Sequence, residues 1–324
     1  MRSFLQSLAN CVLSHGLVSK YCAFVIRAAT FLPLLALAAG CLSNAPTAKK
    51  DAPEDWLVWR AKRREAIAGT NGWATLVGRH WLKEGRNFAG SSPTNGAVLP
   101  INRAPANVGV FTRAGRTVRY EAAPGVVATI DGKPVQSAEL KSDTNSVPTR
   151  LEIGPLSFVL IERGERLGLR VRDPQAPART HFRGVDYFPY DPTWRIEGRF
   201  ESFPWPQIMR VPDIIGGTQE FSSPGAIVFT HAGAEHRLVV LEEPGEDDYF
   251  VIFRDRTAGG ATYANGRFLY VAKPDASGRT VIDFNRAYTP PCGFTAFATC
   301  PLPPRQNWLP FAVRAGELKP RIQH

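Results

Sequence analysis

The sequence predicts a mainly β protein: two packed antiparallel β units, the first sandwich-like and the second a small barrel or half-barrel, with one helix near the N-terminus. Helical periodicity nearly vanishes after Gly69. Beyond it the chain is a succession of short apolar or alternating runs, and glycine-bearing turns separate them at intervals of roughly 8–12 residues, as in sandwiches and barrels. At 324 residues, with 44% hydrophobic and 21% charged residues, the chain can bury a substantial core and does not have the composition of a disordered polymer.

Residues 1–40 are set aside from the fold as a signal peptide of lipoprotein type. The run FVIRAATFLPLLALAAG at 24–40 is mostly apolar, Arg2, Lys20 and Arg27 are the charged side chains up to Cys41, and no acid occurs there. LALAAGC resembles a bacterial lipobox, with Ala38 where leucine is usual; cleavage elsewhere, or a short membrane anchor, are the alternatives. The resemblance implies that Cys41 is lipidated, that residues 41–52 form a polar tether to the membrane, and that the protein faces the periplasm. Leu42 after the cysteine favours the outer membrane.

Removing the three basic residues of the signal segment lowers the formal charge from +10 to +7. The remaining charges are scattered in groups such as RAKRR and RVRD, without interleaved aromatics, so nucleic acid is not an expected partner.

The domain portion begins with a helix over 53–68. Pro53 suits a first turn, Glu54 and Asp55 suit the positive end of the dipole, and Trp56, Leu57, Trp59, Ala66 and Ile67 offer an apolar face. Residues 53–190 then read as the helix plus a sandwich, through runs such as VGVFTRAG, LSFVLIERG and LGLRVRD, with DGKP and RGERLG as turns. The series IDGKPV…LEIGPLSFVLI resembles a forkhead-associated sandwich but lacks that family's phosphopeptide-reading arginine and serine. Residues 186–222, rich in proline and aromatics, read as an ordered crossover with one strand, WRIEGRFE. Residues 191–324 form the second unit, a β-meander ending in a proline- and cysteine-rich flap.

Strand parity collects the polar candidates. In TVIDFNRAY, Ile282 and Phe284 share one face, leaving Asp283 and Asn285 together on the other. Asp255 ends the strand DYFVIFRD, and glycine turns return Tyr263 and Arg267 towards it, so these residues can gather with Arg286 and Tyr288 at one end of adjacent strands. Carboxylates and an arginine at one place suit acid–base or metal work and the holding of an anion. The same residues equally suit internal pairing and turn capping.

His231 and His236 flank AGAE, where a four-residue loop would set them opposite each other, with no third metal ligand nearby. Ser222 and Ser223 read as part of a turn. Nucleophile elbow, zinc, P-loop and dinucleotide motifs are missing from the sequence, so no cofactor or metal is assigned. Cys292 and Cys300, with seven residues between them, admit a disulfide, two buried thiols, or half of a metal site.

The runs FRDRTAGGATYANGRFLYV and DFNRAYTPPCGFTAFATCPLPPRQNWLPFAVRAGE, with GWATLVGRHWLKEGRNFAG and LGLRVRD upstream, resemble domain-of-unknown-function family 1684 over nearly all of residues 53–318. Thr289 departs from the asparagine usual there. The resemblance implies that Trp81, Arg170, Asp173, Asp255, Tyr263, Gly266, Arg267, Asp283, Asn285, Tyr288, Cys292, Cys300, Asn307 and Glu317 occupy family-motif positions. Three functions follow as expectations. The first is an envelope lipoprotein binding a small or peptide-like ligand through Arg267, Asn285, Tyr263, Tyr288 and Arg170. The second is a hydrolase-like enzyme with Asp283, Glu317 and Asp255 as catalytic carboxylates and Arg267 holding substrate. The third is a structural envelope protein.

Overall fold

The computed structural model describes residues 52–321, which belong to one compact unit. The signal-peptide and Cys41 expectations lie outside the described residues. Among the described residues, no helix is long and apolar enough to cross a membrane.

Helix α1 (Glu54–Ala68) starts after an extended Pro53, with Glu54 and Asp55 in its first turn, and ends at Gly69. Trp56 and Ile67 are buried, but Leu57, expected on the same face, is 49% exposed. Adjacent positions lie about 100° apart on a helix, so the inward stripe that runs through Trp56, Arg60, Arg63 and Ile67 leaves Leu57 outside it.

The first unit is a sandwich built from β1 (Leu76–Trp81), β2 (Gly85–Gly90), β3 (Ala97–Val98), β4 (Gly109–Ala114), β5 (Thr117–Ala122), β6 (Ala128–Ile130), β7 (Lys133–Val135), β8 (Ser137–Glu139), β9 (Arg150–Ile153), β10 (Leu156–Arg163) and β11 (Arg166–Arg172). One sheet has the order β1-β11-β10-β9-β6-β7 and the other β3-β2-β4-β5-β8. Pairing is antiparallel except between β2 and β3. Phe111, Tyr120, Leu151, Phe158 and Leu169 fill the space between the sheets. On β11, Leu167, Leu169 and Val171 point into this core, which sends Gly168, Arg170 and Arg172 to the opposite face.

The second unit is one sheet of six strands: β12 (Arg195–Pro212), β13 (Thr218–His231), β14 (Ala234–Glu242), β15 (Tyr249–Phe253), β16 (Arg267–Val271) and β17 (Arg279–Asp283), in the order β16-β15-β14-β13-β12-β17. Both faces of β15 are covered. Tyr249, Val251 and Phe253 join a core with Leu269, Ile282 and Phe284, while Phe250 and Ile252 pack outward with Phe268, Ala298 and Cys300. The sheet therefore curls as a half-barrel around one core and presents an apolar outer face. Asn307 closes a gap in it, since its side chain bonds Val239 N at 2.8 Å, Val239 O at 2.9 Å and Ile252 O at 2.9 Å, joining β14 to β15.

Two local expectations are corrected. The strand read as WRIEGRFE continues through the proline-rich stretch to Pro212, because register jumps between Ser202 and Gln207 and the looped-out residues between them carry Pro204, Pro206 and a 70% exposed Trp205. Prolines are tolerated at such a bulge, where no ladder hydrogen bond is required of them. Ser222 and Ser223 accordingly sit in β13, and Ser223 Oγ donates to Val240 O at 2.7 Å. The second correction concerns the histidines. Ala232 and Gly233 both take positive φ, making a two-residue turn that pairs His231 with Ala234 and His236 with Phe229. Both imidazoles pack on Phe311, with ring centroids 4.3 and 4.7 Å away, rather than on each other.

Candidate functional site

The apolar outer face of the second sheet meets the polar face of the first across a cavity of about 600 Å³, a size suited to a small molecule. Its aromatic wall follows from register. Phe250 lies opposite Tyr270 and Ile252 opposite Phe268, so Phe250, Phe268 and Tyr270 share the outer face. Tyr288 extends the wall by exchanging backbone hydrogen bonds of 2.8 and 2.9 Å with Phe268, and its ring lies parallel to Tyr270 at 6.3 Å. Trp59 from α1 and Trp73 also line the cavity, as do Ala298 to Pro301 of the cysteine flap. Three side chains tie that flap down: Arg79 Nη1 to Ala298 O at 2.8 Å, Arg163 Nε to Thr299 Oγ1 at 2.9 Å, and Gln219 Nε2 to Thr299 O at 2.6 Å.

The cavity's cations are not equivalent. Arg63 is committed to Glu317 and Arg163 to Asp143, the latter through Nη2 to Oδ2 at 2.8 Å. Arg170 is only 7% exposed, and among the described residues its guanidinium has neither a hydrogen-bond acceptor nor an ion-pair partner. Its Nε is enclosed without a partner. The group lies 5.3 Å from the Trp73 ring centroid. Burial first, and then repulsion from Arg163 and Arg172, lowers its pKa to about 10, with Asp143 as a partial counterweight. A cation this buried and without an acceptor is costly in a folded chain, and an anion arriving in the cavity at its accessible terminal nitrogens would relieve that cost.

The cavity also holds Glu243 and Glu246, with Lys62 at the side of α1. Glu243 Oε2 accepts a hydrogen bond from Tyr270 Oη at 2.5 Å. Burial raises the Glu243 pKa, the tyrosine opposes the shift, and nearby Glu246 reinforces it. Neither glutamate pairs with a cation among the described residues. A second depression, of about 520 Å³ beside Pro177, His181 and Phe182, ends at Arg321, which pairs with Asp186 at 2.7 Å. Its cationic side chains are exposed, unlike Arg170.

Of the residues singled out in the sequence, Arg170, Tyr288 and Cys300 reach this cavity. The others are placed in separate internal networks. Arg267 is wholly enclosed: Nη2 donates to Asp255 Oδ2 at 2.7 Å and to Val313 O at 2.9 Å, and Nη1 donates to Ala315 O. Asp255 Oδ1 in turn accepts from Thr257 N at 2.7 Å, Thr257 Oγ1 at 2.6 Å and Val313 N at 3.2 Å. The side chain of Arg267 thus has no surface with which to hold a substrate. Gly266 directs it there with φ 87°, where a Cβ would stand 2.5 Å from Phe253 O.

Asp283 and Asn285 do meet, but as a cap and a staple in the turn beyond β17 rather than on one face of a strand. Asp283 Oδ1 accepts from Asn285 N at 3.1 Å and Nδ2 at 3.0 Å, where the chain leaves β17 in a 3-10 turn. Asn285 also bonds Asp191 N at 3.1 Å and Asp191 O at 2.9 Å. Glu317 is fully buried and bonds Arg63 Nε at 2.8 Å, Arg63 Nη2 at 3.2 Å and Thr289 N at 2.8 Å. Gly316 precedes it with φ 79°, at a point where a Cβ would stand 2.3 Å from Ala287 O. The three carboxylates expected to act together therefore serve three different anchors. Tyr263 Oη is bonded to Cys292 O at 3.2 Å, outside the cavity lining.

Cys292 and Cys300 are free thiols, with Cys300 Sγ accepting from Cys292 N at 3.1 Å. Of the alternatives open in the sequence, a disulfide is not the form this structure holds. Contact with Cys300 lowers the Cys292 pKa, whereas burial pushes the Cys300 thiol up.

Residues 180–318 match the family model described as "Protein of unknown function (DUF1684)". No curated protein matches the chain. Among solved structures, an uncharacterised protein from Haloarcula marismortui studied by solution NMR is 30% identical over 43% of this chain and 78% of its own, with a TM-score of 0.37. Two FHA-domain structures, one of FhaA with the intracellular domain of another protein and one concerned with phosphothreonine-dependent interactions, are each 15% identical over 29% of this chain, with TM-scores of 0.21. They cover 97% and 92% of those chains. At these scores none of the three bears on the chemistry of the cavity. The cysteine flap, the Asp255–Arg267 pair, Tyr288 and Glu317 all fall within the matched segment, and through it the chain belongs to the DUF1684 family.

Proposed function

We propose that this protein is a ligand-binding protein that takes a small organic anion into the cavity between its two β units, with the anionic group on Arg170. The observation that carries the reading is the Arg170 guanidinium, on a residue only 7% exposed and without a hydrogen-bond or ion-pair partner among the described residues, at an aromatic-walled cavity. A charge-assisted contact there would be shielded from bulk water and correspondingly strong. The aromatic wall suits an apolar ligand body, which Phe250, Phe268 and Trp73 can desolvate. The test is isothermal titration with simple carboxylates such as hexanoate and benzoate. Binding by the native protein that is weakened at least tenfold in R170M supports the proposal, and affinity unchanged in R170M sinks it.

The location rests on the N-terminal sequence, and we propose it on that basis: a lipid-anchored envelope protein attached through Cys41. Mass spectrometry of the mature N-terminus checks it, and an unlipidated terminus at another residue excludes it.

A further inference from the structure

Resting on that reading of the cavity, we infer that its ligand is a zwitterion, an amino-acid-like molecule whose carboxylate meets Arg170 and whose ammonium group meets Glu243 and Glu246. The cavity carries both signs of charge without letting them cancel. Arg170 has no carboxylate partner, and Glu243 and Glu246 have no cationic partner among the described residues, yet all three line the same space. Arg170 and the two glutamates make no ion pair with each other across the cavity, whereas the other cavity guanidiniums do have acids, Arg63 pairing with Glu317 and Arg163 with Asp143. Those two pairs neutralise the neighbouring guanidiniums and leave the unmatched poles to a ligand.

The chemistry of each pole selects its group. Arg170 stands as a single uncommitted guanidinium, since Arg163 and Arg172 spend their donors on Asp143, Thr299, Gly72 and Thr75. One planar fork suits a carboxylate in two parallel hydrogen bonds, whereas a phosphate dianion calls for more donors. At the other pole, Glu243 accepts from Tyr270 Oη, and Phe250, Phe268 and Tyr270 surround the approach. Carboxylates beside aromatic rings attract an ammonium group both by charge and through the ring faces. The exposed Lys62 at the cavity wall also makes no ion pair among the described residues, so it does not neutralise the glutamates in this structure.

The experiment compares matched pairs by isothermal titration of the native protein: hexanoate with 6-aminohexanoate, octanoate with 8-aminooctanoate, and benzoate with 4-(aminomethyl)benzoate. The expected result is that in at least one pair the amino compound binds about tenfold more tightly, equivalent to about 1.4 kcal/mol. In E243Q/E246Q that ratio falls to about one. If every pair binds equally, the zwitterion inference is overturned while anion binding stands. If the ratio survives in E243Q/E246Q, the ammonium is held elsewhere and the inference is again overturned. If none of the acids binds, both the inference and the function beneath it fail.

Discussion

Arg63 of the N-terminal helix and Glu317 near the other end of the chain form an ion pair, Nε to Oε1 at 2.8 Å, with the glutamate fully buried and the arginine side chain 11% exposed. The pair locks α1 over the second sheet, because Arg63 also donates to Thr289 O at 3.2 Å and Glu317 receives Thr289 N. Removing either partner strands the other charge, so E317Q or R63M is expected to destabilise the fold by about 3–5 kcal/mol. The double variant R63M/E317Q should cost less than the sum of the two. Urea denaturation of all three measures the coupling, and strict additivity would show that the pair is not a unit.

The Asp255–Arg267 pair has a structural role, which separates it from the ligand. R267K keeps the charge but loses the fork that serves Asp255, Val313 and Ala315 at once. It is expected to cost at least about 2 kcal/mol in denaturation experiments. Lower ligand affinity at unchanged stability would instead return Arg267 to the binding machinery.

Arg170 pulls stability and function in opposite directions. In the unliganded protein, R170M removes a buried unpaired cation and is expected to raise stability by about 1–2 kcal/mol. It should simultaneously abolish the stabilisation that added hexanoate confers on the native protein. Thermal melts with and without the carboxylate read both effects, and a destabilised R170M would mean that Arg170 has an internal acceptor.

Glu243 sets a pH dependence. Burial raises its folded pKa above the unfolded value, so its favourable contribution is complete below the ordinary carboxylate range and is lost as pH rises through the folded value. E243Q should therefore be more stable than the native protein at pH 7, with the difference shrinking as pH falls towards about 4. Denaturation midpoints across that window give the answer, and a gap that widens on acidification would reverse the assigned shift.

The two cysteines should react unequally. Cys292 is the more accessible and has the lowered pKa, while Cys300 is buried with its thiol pushed up. Iodoacetamide labelling of the folded protein at pH 8, mapped by mass spectrometry, should modify Cys292 well before Cys300. Prior modification of Cys300 would contradict the packing of the flap.

Much of the fold could be read along the chain because it depends on local pattern. Short alternating or continuously apolar runs such as LGLRVRD, FVIF and RFLYV assigned strands, glycine turns separated them, and Pro53 with Glu54 and Asp55 marked the helix start. Ile282 and Phe284 share one core as parity indicated, whereas Asp283 meets Asn285 through the 3-10 turn that follows the strand. Where local pattern was ambiguous the reading missed: adjacent apolar residues at Trp56 and Leu57 could not both face inward, and positive φ at Ala232 shortened a turn that looked four residues long.

The candidate site was legible only as residue types. Acids, an arginine and a tyrosine near a strand end could equally be machinery or internal pairing, and hydrogen-bond partners drawn from 12 to 254 residues away decided for pairing at Arg267 and Glu317. Alternation alone makes Arg170 the solvent-side residue of a sandwich strand. What buries it is the second unit packing across that face, and Asp143, the acid whose charge acts on it, is taken by Arg163. The sequence by itself determined the strands, the helix and the faces on which residues lie, since these follow from backbone geometry within a few residues. Tertiary structure decided which charges cancel and which remain open, because that depends on the packing of segments far apart in the chain.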